Sequence, residues 1–400
     1  MRDTNRDGVS GESGRLNPRA SGNGHGARHV LIFPGGMPRS LEYLRKCLRA
    51  GLPVVGASSL NYDVASGQYP SWLRLPYINQ PEFDHALRQA IQELDIGGIY
   101  TPNPVVWNYL HRTLRDIAPD VNLVNDSPVN EALAGYRAAR AHARALLERP
   151  LPLASRLPAK PAIAEVELAA LFRHADLIPG MCDHEKICAL HEVARHSVSG
   201  DLVEIGSWWG KSAFVLARLA SCYEIGNLLC VDPWSNQHLV QHDSHGLVDS
   251  GSAQVDAAEA LAVFEISLLA FNSNHVNYLR MPSIDGARHY LEQRSAATAA
   301  FGTTPYSGHI AILHIDGNHA YAEVKSDIAS WSGMVARGGW IILDDYIWPF
   351  GDGPRRAGDE FLAEHGNRID LAFVMGSALF IQLSPSASQN CRSSGVPREC

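Results

Sequence analysis

The sequence has no apolar run of about 18 residues, the length that a membrane-spanning helix needs. Its N-terminus also lacks the apolar core of a signal peptide. Lys and Arg are fewer than Asp and Glu, 34 against 42, and the formal net charge is −8. Because binding to phosphates needs a high density of basic residues, this balance argues against a nucleic-acid partner. We therefore expect a cytoplasmic protein that binds neither membranes nor nucleic acids.

Cysteine is also scarce. The seven cysteines are scattered along 400 residues, and their number is odd. This usage fits reduced thiols better than a disulfide framework. Cys182, His184 and Cys188 have a spacing that offers three zinc ligands, but the sequence has no second cluster to complete such a site. Buried thiols on a helix are therefore the favoured interpretation.

Length and composition predict two domains. The hydrophobic content of 46% is that of an ordinary globular protein, and 400 residues exceed what one core usually holds. We divide the chain into disordered tails at 1–28 and 386–400, a smaller open α/β domain at 29–149, a proline-rich linker at 150–163, and a larger domain at 164–385.

The smaller domain begins with a turn of unusual composition. Residues 33–36 read Phe-Pro-Gly-Gly and lead into a helix, a pattern that resembles pre-ATP-grasp domains. Since no ATP-grasp domain follows, the resemblance implies an accessory α/β layer without ATP ligation. We expect this layer to serve in docking, substrate covering or oligomerisation, and we expect a homo-oligomer, either a dimer or a tetramer.

Residues 310–346 contain the most informative pattern. Apolar runs at 310–315 and 340–343 predict two buried parallel strands. Between them, apolar residues recur at the spacing of one helix face: Tyr321, Val324, Ile328, Trp331 and Val335. Gly338 and Gly339 are expected to end this helix. Both strands then end at the same edge of a parallel sheet.

Acidic residues follow both strands. Asp316 follows the first, and Asp344 and Asp345 follow the second, 28 and 29 positions later. Three carboxylates at one edge repel one another unless a cation neutralises them, and Mg²⁺ prefers oxygen ligands. The alternative is that each acid is solvated or caps the next helix. His319 lies near enough in sequence to act as a base beside these acids, the alternative being a surface or capping histidine.

Residues 201–212 predict a cofactor site at a similar edge. A strand ends near Glu204, Gly206 makes a turn without a Cβ, and Gly210 lets the next helix approach closely. The next strand ends in Asp232, an acid that can accept hydrogen bonds from a ribose. These signals predict an adenosine-containing cofactor. Because Glu204 would repel a pyrophosphate, the cationic and phosphate-free S-adenosylmethionine is favoured over NAD.

Three motifs, VEIGSWWGKS, VDPW and the stretch from DGNHAY to DDY, resemble class I S-adenosylmethionine-dependent methyltransferases. Within that superfamily the chain is most similar to the metal-dependent sugar O-methyltransferases of macrolide antibiotic pathways, the mycinamicin and tylosin type. The resemblance covers about residues 165–385. It implies a Rossmann-like sheet closed by an antiparallel hairpin, which we place at 371–374 and 378–383.

The resemblance also assigns roles to residues. It implies Mg²⁺ ligands at Asp316, Asp344 and Asp345, and it makes His319 the base, so that Asp316 and His319 are the catalytic residues. The family pattern allows Glu where this chain has the shorter Asp344. Cofactor contacts are assigned to seven residues: Glu204, Gly206, Ser207, Gly210, Asp232, Trp234 and Ser283. Of these, Trp234 and Ser283 are expected beside the adenine. The aperiodic segment 243–252 is either a lid over the cofactor or a plain loop.

These patterns predict an enzyme that moves a methyl group from S-adenosylmethionine to a hydroxyl of a small molecule, in natural-product biosynthesis. An N-methyltransferase would keep the cofactor site and use the carboxylates to bind a cationic amine or guanidine. A nucleotide-dependent oxidoreductase is disfavoured because the third glycine of its motif is missing. A non-catalytic cofactor-binding scaffold is the alternative outside the enzymes.

Overall fold

A computed structural model describes residues 27–239, 256–271 and 275–385. The predicted tails, apart from residues 27–28, and the segment 243–252 lie outside the described residues.

The chain divides into two compact units between Ala134 and Gly135. The division falls within the helix Pro128–Glu148, and so before the predicted linker at 150–163. Packing explains its position, because the second half of this helix adds three residues to the core of the second unit: Ala139, Ala143 and Leu146.

The first unit is a small open α/β layer. Its strands are β1 (His29–Ile32), β2 (Val54–Ser58), β3 (Trp72–Arg74), β4 (Ile96–Tyr100) and β5 (Asn122–Leu123). Its helices are α1 (Pro38–Arg49), α2 (Phe83–Glu93), α3 (Pro104–Ile117) and the first part of α4 (Pro128–Glu148). The strands are parallel, in the order β3-β2-β1-β4-β5. The smaller N-terminal α/β region is thus confirmed.

Both faces of this first sheet are covered. Leu31 of β1 packs with Leu87 of α2 and Leu110 of α3. The next residue, Ile32, points to the opposite face and packs with Leu44 of α1. Burial on both faces explains why these strands read as continuous apolar runs.

The second unit is larger. Its strands are β6 (Asp201–Ile205), β7 (Leu228–Val231), β8 (Val276–Leu279), β9 (Ser295–Thr298), β10 (Gly302–Pro305), β11 (Ile310–Ile315), β12 (Val335–Leu343), β13 (Ile369–Met375) and β14 (Ala378–Leu383). Its helices are the remainder of α4, α5 (Glu165–Ala175), α6 (His184–Arg195), α7 (Lys211–Cys222), α8 (Ala257–Leu269), α9 (Ser283–Gln293), α10 (Tyr321–Trp331) and α11 (Gly353–His365).

The main sheet of this unit has seven strands in the order β8-β7-β6-β11-β12-β14-β13. The first five are parallel, and β14 and β13 form an antiparallel hairpin at the end. The predicted Rossmann-like sheet with a closing hairpin is therefore confirmed. The order reverses between β6 and β11, and open α/β sheets bind ligands at such a switch point.

Helices cover both faces of the main sheet. Helices α5 to α8 bury one set of side chains, among them Leu168, Phe172, Leu190, Phe214 and Phe264. Helices α9 to α11 bury a second set, among them Tyr290, Ile328, Trp331 and Phe361. In the described ranges, every helix is too short or too polar to cross a bilayer.

The prediction for the end of α10 was wrong. This helix stops at Trp331, and Val335, which the spacing placed on the helix, starts β12 instead. A short 3₁₀ turn at Ser332–Met334 redirects the chain, and Val335 then pairs with Ile310. Gly338, with a φ of +78°, lies inside the strand where the register shifts. The glycine pair bends a strand and does not terminate a helix.

Candidate active site

Strand register places the glycine turn and the acids side by side. Three residues are register partners on the neighbouring strands β6, β11 and β12: Ile205, Ile315 and Leu343. The next residues along these strands are Gly206, Asp316 and Asp344. The Asp316 N–H donates to the Ile205 carbonyl at 2.8 Å, and the Asp344 N–H donates to the Ile315 carbonyl at 2.9 Å. The register thus brings Gly206, Asp316 and Asp344 to one edge of the sheet, where Asp316 was predicted to meet Asp344 and Asp345.

The three carboxylates at this edge differ in depth. The side chain of Asp344 is 10% exposed, that of Asp345 18% and that of Asp316 25%. Burial, followed by the charge of Asp344, raises the pKa of Asp316 well above its usual value. Such a cluster needs positive charge, because buried carboxylates raise one another's proton affinity.

A lysine supplies part of that charge. The Lys186 side chain on α6 is 5% exposed, and its Nζ donates to Asp344 Oδ2 and lies 3.6 Å from Asp316 Oδ2. Burial by itself would lower the pKa of Lys186, but the two carboxylates outweigh burial and hold it above its usual value. Burial would likewise raise the pKa of Asp344, yet Lys186 and His314 hold it below its usual range. The buried lysine is therefore charged and paired.

The predicted base lies beside the third acid. His319 Nε2 and Asp345 Oδ2 are 2.9 Å apart, and the imidazole meets the Trp348 ring edge to face at 4.3 Å between centroids. The carboxylate holds the orientation of the imidazole. The role of His319 as the base stays a prediction.

A second buried pair lies behind the acids. Glu204 Oε1 and His314 Nδ1 are 3.0 Å apart, and both side chains are fully buried. His314 Nε2 points towards Asp344 Oδ2, 3.9 Å away, and has no hydrogen-bond partner among the described residues. The other Glu204 oxygen faces Cys230 Sγ at 4.0 Å. Both carboxylate oxygens face protein groups, so a direct contact between Glu204 and the cofactor stays a prediction.

Backbone conformation and close packing explain why positions 206 and 210 are glycines. Gly206 has a φ of +80°, and a Cβ there would lie 2.1 Å from the carbonyl oxygen of Asp316. Gly210 has a φ of +86°, and a Cβ there would lie 2.8 Å from the Phe264 ring. Only glycine combines this backbone conformation with such close packing. Gly206 accords with the predicted turn and Gly210 with the predicted close packing, while cofactor binding by the two glycines stays a prediction.

Asp232 organises the loops at the same edge. Its carboxylate accepts hydrogen bonds from the Trp208 N–H at 3.0 Å and the Trp234 N–H at 2.7 Å. Trp234 is 1% exposed, its Nε1 donates to the Trp208 carbonyl at 2.9 Å, and its ring packs on Phe264. Ser207 is also buried. The roles of Asp232 and Ser207 in cofactor binding, and of Trp234 in packing on adenine, stay predictions.

Ser283 connects two helices. The Trp331 Nε1–H of α10 donates to Ser283 Oγ of α9 at 2.9 Å. Asp327, a buried carboxyl on α10, is the second partner of this hydroxyl. Burial raises the pKa of Asp327 to about 7, although the hydrogen bond with Ser283 works in the opposite direction. A contact between Ser283 and adenine stays a prediction, whereas Asp327 is a titrating group that the sequence analysis missed.

Asp327→Asn should stabilise the protein increasingly as the pH rises from about 5 to about 8. The reference pKa of 3.8 rises to about 7 in the folded protein, so between these values the folded state binds more protons than the unfolded state. The stability contributed by the protonated carboxyl is complete below the lower value and is lost as the pH rises through the upper one. The asparagine side chain stays neutral throughout, so its advantage in unfolding free energy should grow by roughly 2 kcal/mol over this interval.

Urea unfolding at the two pH values tests this effect. The control is Asp285→Asn, which removes an exposed carboxylate paired with Arg288 on the neighbouring helix α9. Its difference from the wild type should stay within about 0.5 kcal/mol at both pH values. If the Asp327 variant differs from the wild type equally at both, the carboxyl titrates outside this interval.

The donor atoms at the edge suit a divalent cation. They lie within 4.8 Å of one another in each of two sets: His314, Asp316 and Asp344, and Asp316, His319 and Asp345. Carboxylate oxygens are the ligands that Mg²⁺ prefers. Lys186 lies beside Asp344 of the first set and beside Asp316, which belongs to both sets, and Asp345 of the second set is more exposed than Asp344. The residues present therefore fit a divalent cation.

The three residues considered as zinc ligands, Cys182, His184 and Cys188, do not come together as the acids do. In the described part of the chain, Cys182, His184 and Cys188 do not form such a set, and both thiols are free. His184 Nε2 instead contacts Asp176 Oδ1 at 2.8 Å.

Two residues of the site escaped the sequence analysis although each carries a signal. His314 lies two positions before Asp316 on one strand, so the two share a face of the sheet. Lys186 occupies the apolar stripe of α6 together with Leu190 and Val193. A charged residue on an apolar stripe requires a buried partner, and that requirement could have prompted a search for one.

Comparison with known proteins gives a family match to part of the chain and several solved structures of low similarity. A family model described as a methyltransferase domain matches residues 203–346. No curated protein matches the chain. The O-methyltransferase NovP is 17% identical over 63% of this chain and 99% of its own, with a TM-score of 0.36.

Two further solved structures have comparable likeness. CalS11, described as a TDP-rhamnose 3′-O-methyltransferase of calicheamicin biosynthesis, is 16% identical over 65% of this chain and 96% of its own, with a TM-score of 0.35. MycE, a methyltransferase of the mycinamycin pathway solved with Mg and SAH, is 15% identical over 46% of each chain, with a TM-score of 0.27.

The segment matched by the family model runs from β6 to the residue after the acid pair, and so contains the glycine turn, Asp232, Asp316 and His319. These residues lie at the carboxyl edge of a parallel sheet, next to its switch point. Residues 203–346 of the second unit therefore match a methyltransferase domain.

Proposed function

We propose that this methyltransferase acts on a hydroxyl group of a small molecule, in natural-product biosynthesis, with the help of a divalent cation and with His319 as the general base. One observation carries the proposal. The carboxylates of Asp316 and Asp345 and the imidazole of His319 have donor atoms within 4.8 Å of one another, at the edge that also holds Gly206. An amine acceptor would need no such combination of a base with cation ligands.

In this proposal His319 takes the proton from the acceptor hydroxyl. Asp345, 2.9 Å from Nε2, holds the ring and compensates the charge that the imidazole acquires. A divalent cation bound by the neighbouring carboxylates would lower the pKa of that hydroxyl. The turn at Gly206 brings the predicted cofactor loop next to Asp316, so that the acceptor and the methyl donor can be aligned.

The acceptor class comes from the sequence motifs. They resemble sugar O-methyltransferases of macrolide antibiotic pathways, which supports a polyhydroxylated acceptor. A vicinal diol would offer two oxygens to a divalent cation held by the carboxylates of Asp316 and Asp345.

Calorimetric titration of the metal-stripped protein with S-adenosylhomocysteine and then with Mg²⁺ tests the proposal. The wild type should bind both, and Asp345→Asn should keep the cofactor but lose Mg²⁺ affinity by at least about tenfold. Asparagine is chosen because Asp345 has a φ of +50°, which Asn tolerates better than Ala. His319→Asn should keep the cofactor yet lose methyl transfer to a panel of hydroxylated sugars by about 10²-fold or more.

The outcomes distinguish the alternatives. Cofactor binding without Mg²⁺ binding would favour N-methylation, with the carboxylates recognising a cationic substrate. Full activity of His319→Asn would exclude this residue as the base. Failure of the wild type to bind S-adenosylhomocysteine would contradict the whole proposal.

A further inference from the structure

We propose that Lys186 is a built-in cation of the acid cluster, which holds Asp344 on the inner side and leaves room for a single divalent ion at Asp316 and Asp345. This inference rests on the metal dependence proposed above and refines it. It changes the expected role of Asp344 from a direct ligand to a partner of the lysine.

The depth of Lys186 requires a reason. Its side chain is 5% exposed, on the helix face that Leu190 and Val193 bury against the sheet. The free energy of desolvating an ammonium group there, without a counter-charge, would be far higher than for a lysine at the surface. Its Nζ reaches the oxygens of Asp344 and Asp316, so the acid cluster compensates the buried charge.

Asp344 is surrounded by protein groups. Lys186 donates to its Oδ2, and His314 Nε2 lies 3.9 Å from the same oxygen. The Ser377 hydroxyl lies 3.5 Å from Oδ1. Asp344 also has the least exposed side chain of the three acids, at 10%. Both oxygens of Asp344 therefore have protein partners. The more exposed Asp316 and Asp345 each have one oxygen near a basic side chain: Asp316 Oδ2 lies 3.6 Å from Lys186 Nζ, and Asp345 Oδ2 lies 2.9 Å from His319 Nε2.

Charge balance agrees with one ion. Asp316, Asp344 and Asp345 carry three negative charges when ionised, and Lys186 removes one. The Glu204 carboxylate is paired with His314, outside this group. The remaining two negative charges equal the charge of a single divalent cation, so one Mg²⁺ or Mn²⁺ neutralises the cluster.

Mn²⁺ binding, followed by electron paramagnetic resonance of the full-length protein, tests this assignment without an activity assay. Lys186→Met should bind Mn²⁺ at least about tenfold more tightly, because it removes a nearby positive charge and frees Asp344. In the absence of metal the same variant should melt at least about 5 °C lower, because the acids lose their cation. Lys325→Met, on the exposed face of α10, is the matched control and should change neither quantity.

If the single variant does not fold, the double variant Lys186→Met with Asp344→Asn can be used to test the assignment. It removes both members of the pair and leaves the net charge of the cluster unchanged. Its Mn²⁺ affinity should stay within about threefold of the wild type, because Asp316 and Asp345 are intact. A loss of tenfold or more would make Asp344 a direct ligand and overturn the assignment.

Other outcomes separate this inference from the function on which it rests. Equal Mn²⁺ affinity of the wild type and Lys186→Met would overturn the role of Lys186 and leave metal dependence standing. Absence of Mn²⁺ binding by the wild type at millimolar concentration would overturn the metal dependence and the one-ion assignment together.

Discussion

Gly206→Ala should lower the free energy of unfolding of the second unit by about 3 kcal/mol or more. The new Cβ would lie 2.1 Å from the Asp316 carbonyl, and the residue would have to keep a φ of +80°. The Asp316 carbonyl cannot move away from the new Cβ easily, because it belongs to the backbone that follows a central strand. We also expect cofactor affinity to fall by at least about tenfold, since relief of the clash displaces the turn at the carboxyl edge.

Urea unfolding and titration with S-adenosylhomocysteine measure these two effects. Gly333→Ala is the control, because a Cβ at this exposed position in the same unit meets no atom within 4 Å. It should change the unfolding free energy by no more than about 0.5 kcal/mol. Similar small effects of both substitutions would mean that β6 and β11 do not approach each other as closely at this edge.

His314→Leu should destabilise the second unit by about 3 kcal/mol or more, because it leaves the Glu204 carboxylate buried without its partner. The two side chains are 3.0 Å apart and fully buried, so water cannot replace the lost hydrogen bond. Adding Glu204→Gln to this variant removes the unpaired charge and should recover at least about 1 kcal/mol. We expect most of the destabilisation by His314→Leu to come from the buried, unpaired carboxylate of Glu204.

Urea unfolding of both single variants and the double variant measures the coupling. His309→Leu provides the control, because this histidine is exposed and lies immediately before the same strand. It should change the unfolding free energy by no more than about 0.5 kcal/mol. If the double variant is as unstable as the sum of the two singles, the two side chains are not energetically coupled.

The main sheet of the second unit could be predicted because its signals are local. Apart from His314, the runs 310–315 and 340–343 are apolar on both faces, as buried parallel strands are, and an acid follows each run. Parallel connections place the ends of these strands at one edge, so the meeting of Asp316 with Asp344 needed no long-range information. The closing hairpin was predicted for the same reason, because its two strands follow each other along the chain and are separated only by a short turn.

The local signals were misleading where the same spacing of apolar residues is compatible with both a helix and a strand. Val335 continues the helical spacing of α10 but belongs to β12, because the turn at Ser332–Met334 intervenes. The hairpin formed by β9 and β10 was not predicted at all. Short segments have too few residues for periodicity to distinguish a strand from a helix or a loop.

The sequence by itself determined which groups arrive at the carboxyl edge: Gly206, Asp232, Asp316, His319, Asp344 and Asp345. Their positions follow from where each strand ends. Only the tertiary structure decided which charges meet them there. Lys186 reaches Asp344 across 158 positions, because α6 packs its apolar stripe on the sheet, and His314 pairs with Glu204 through strand register. Contacts of this kind depend on how distant elements pack, and no local pattern in the sequence specifies that packing.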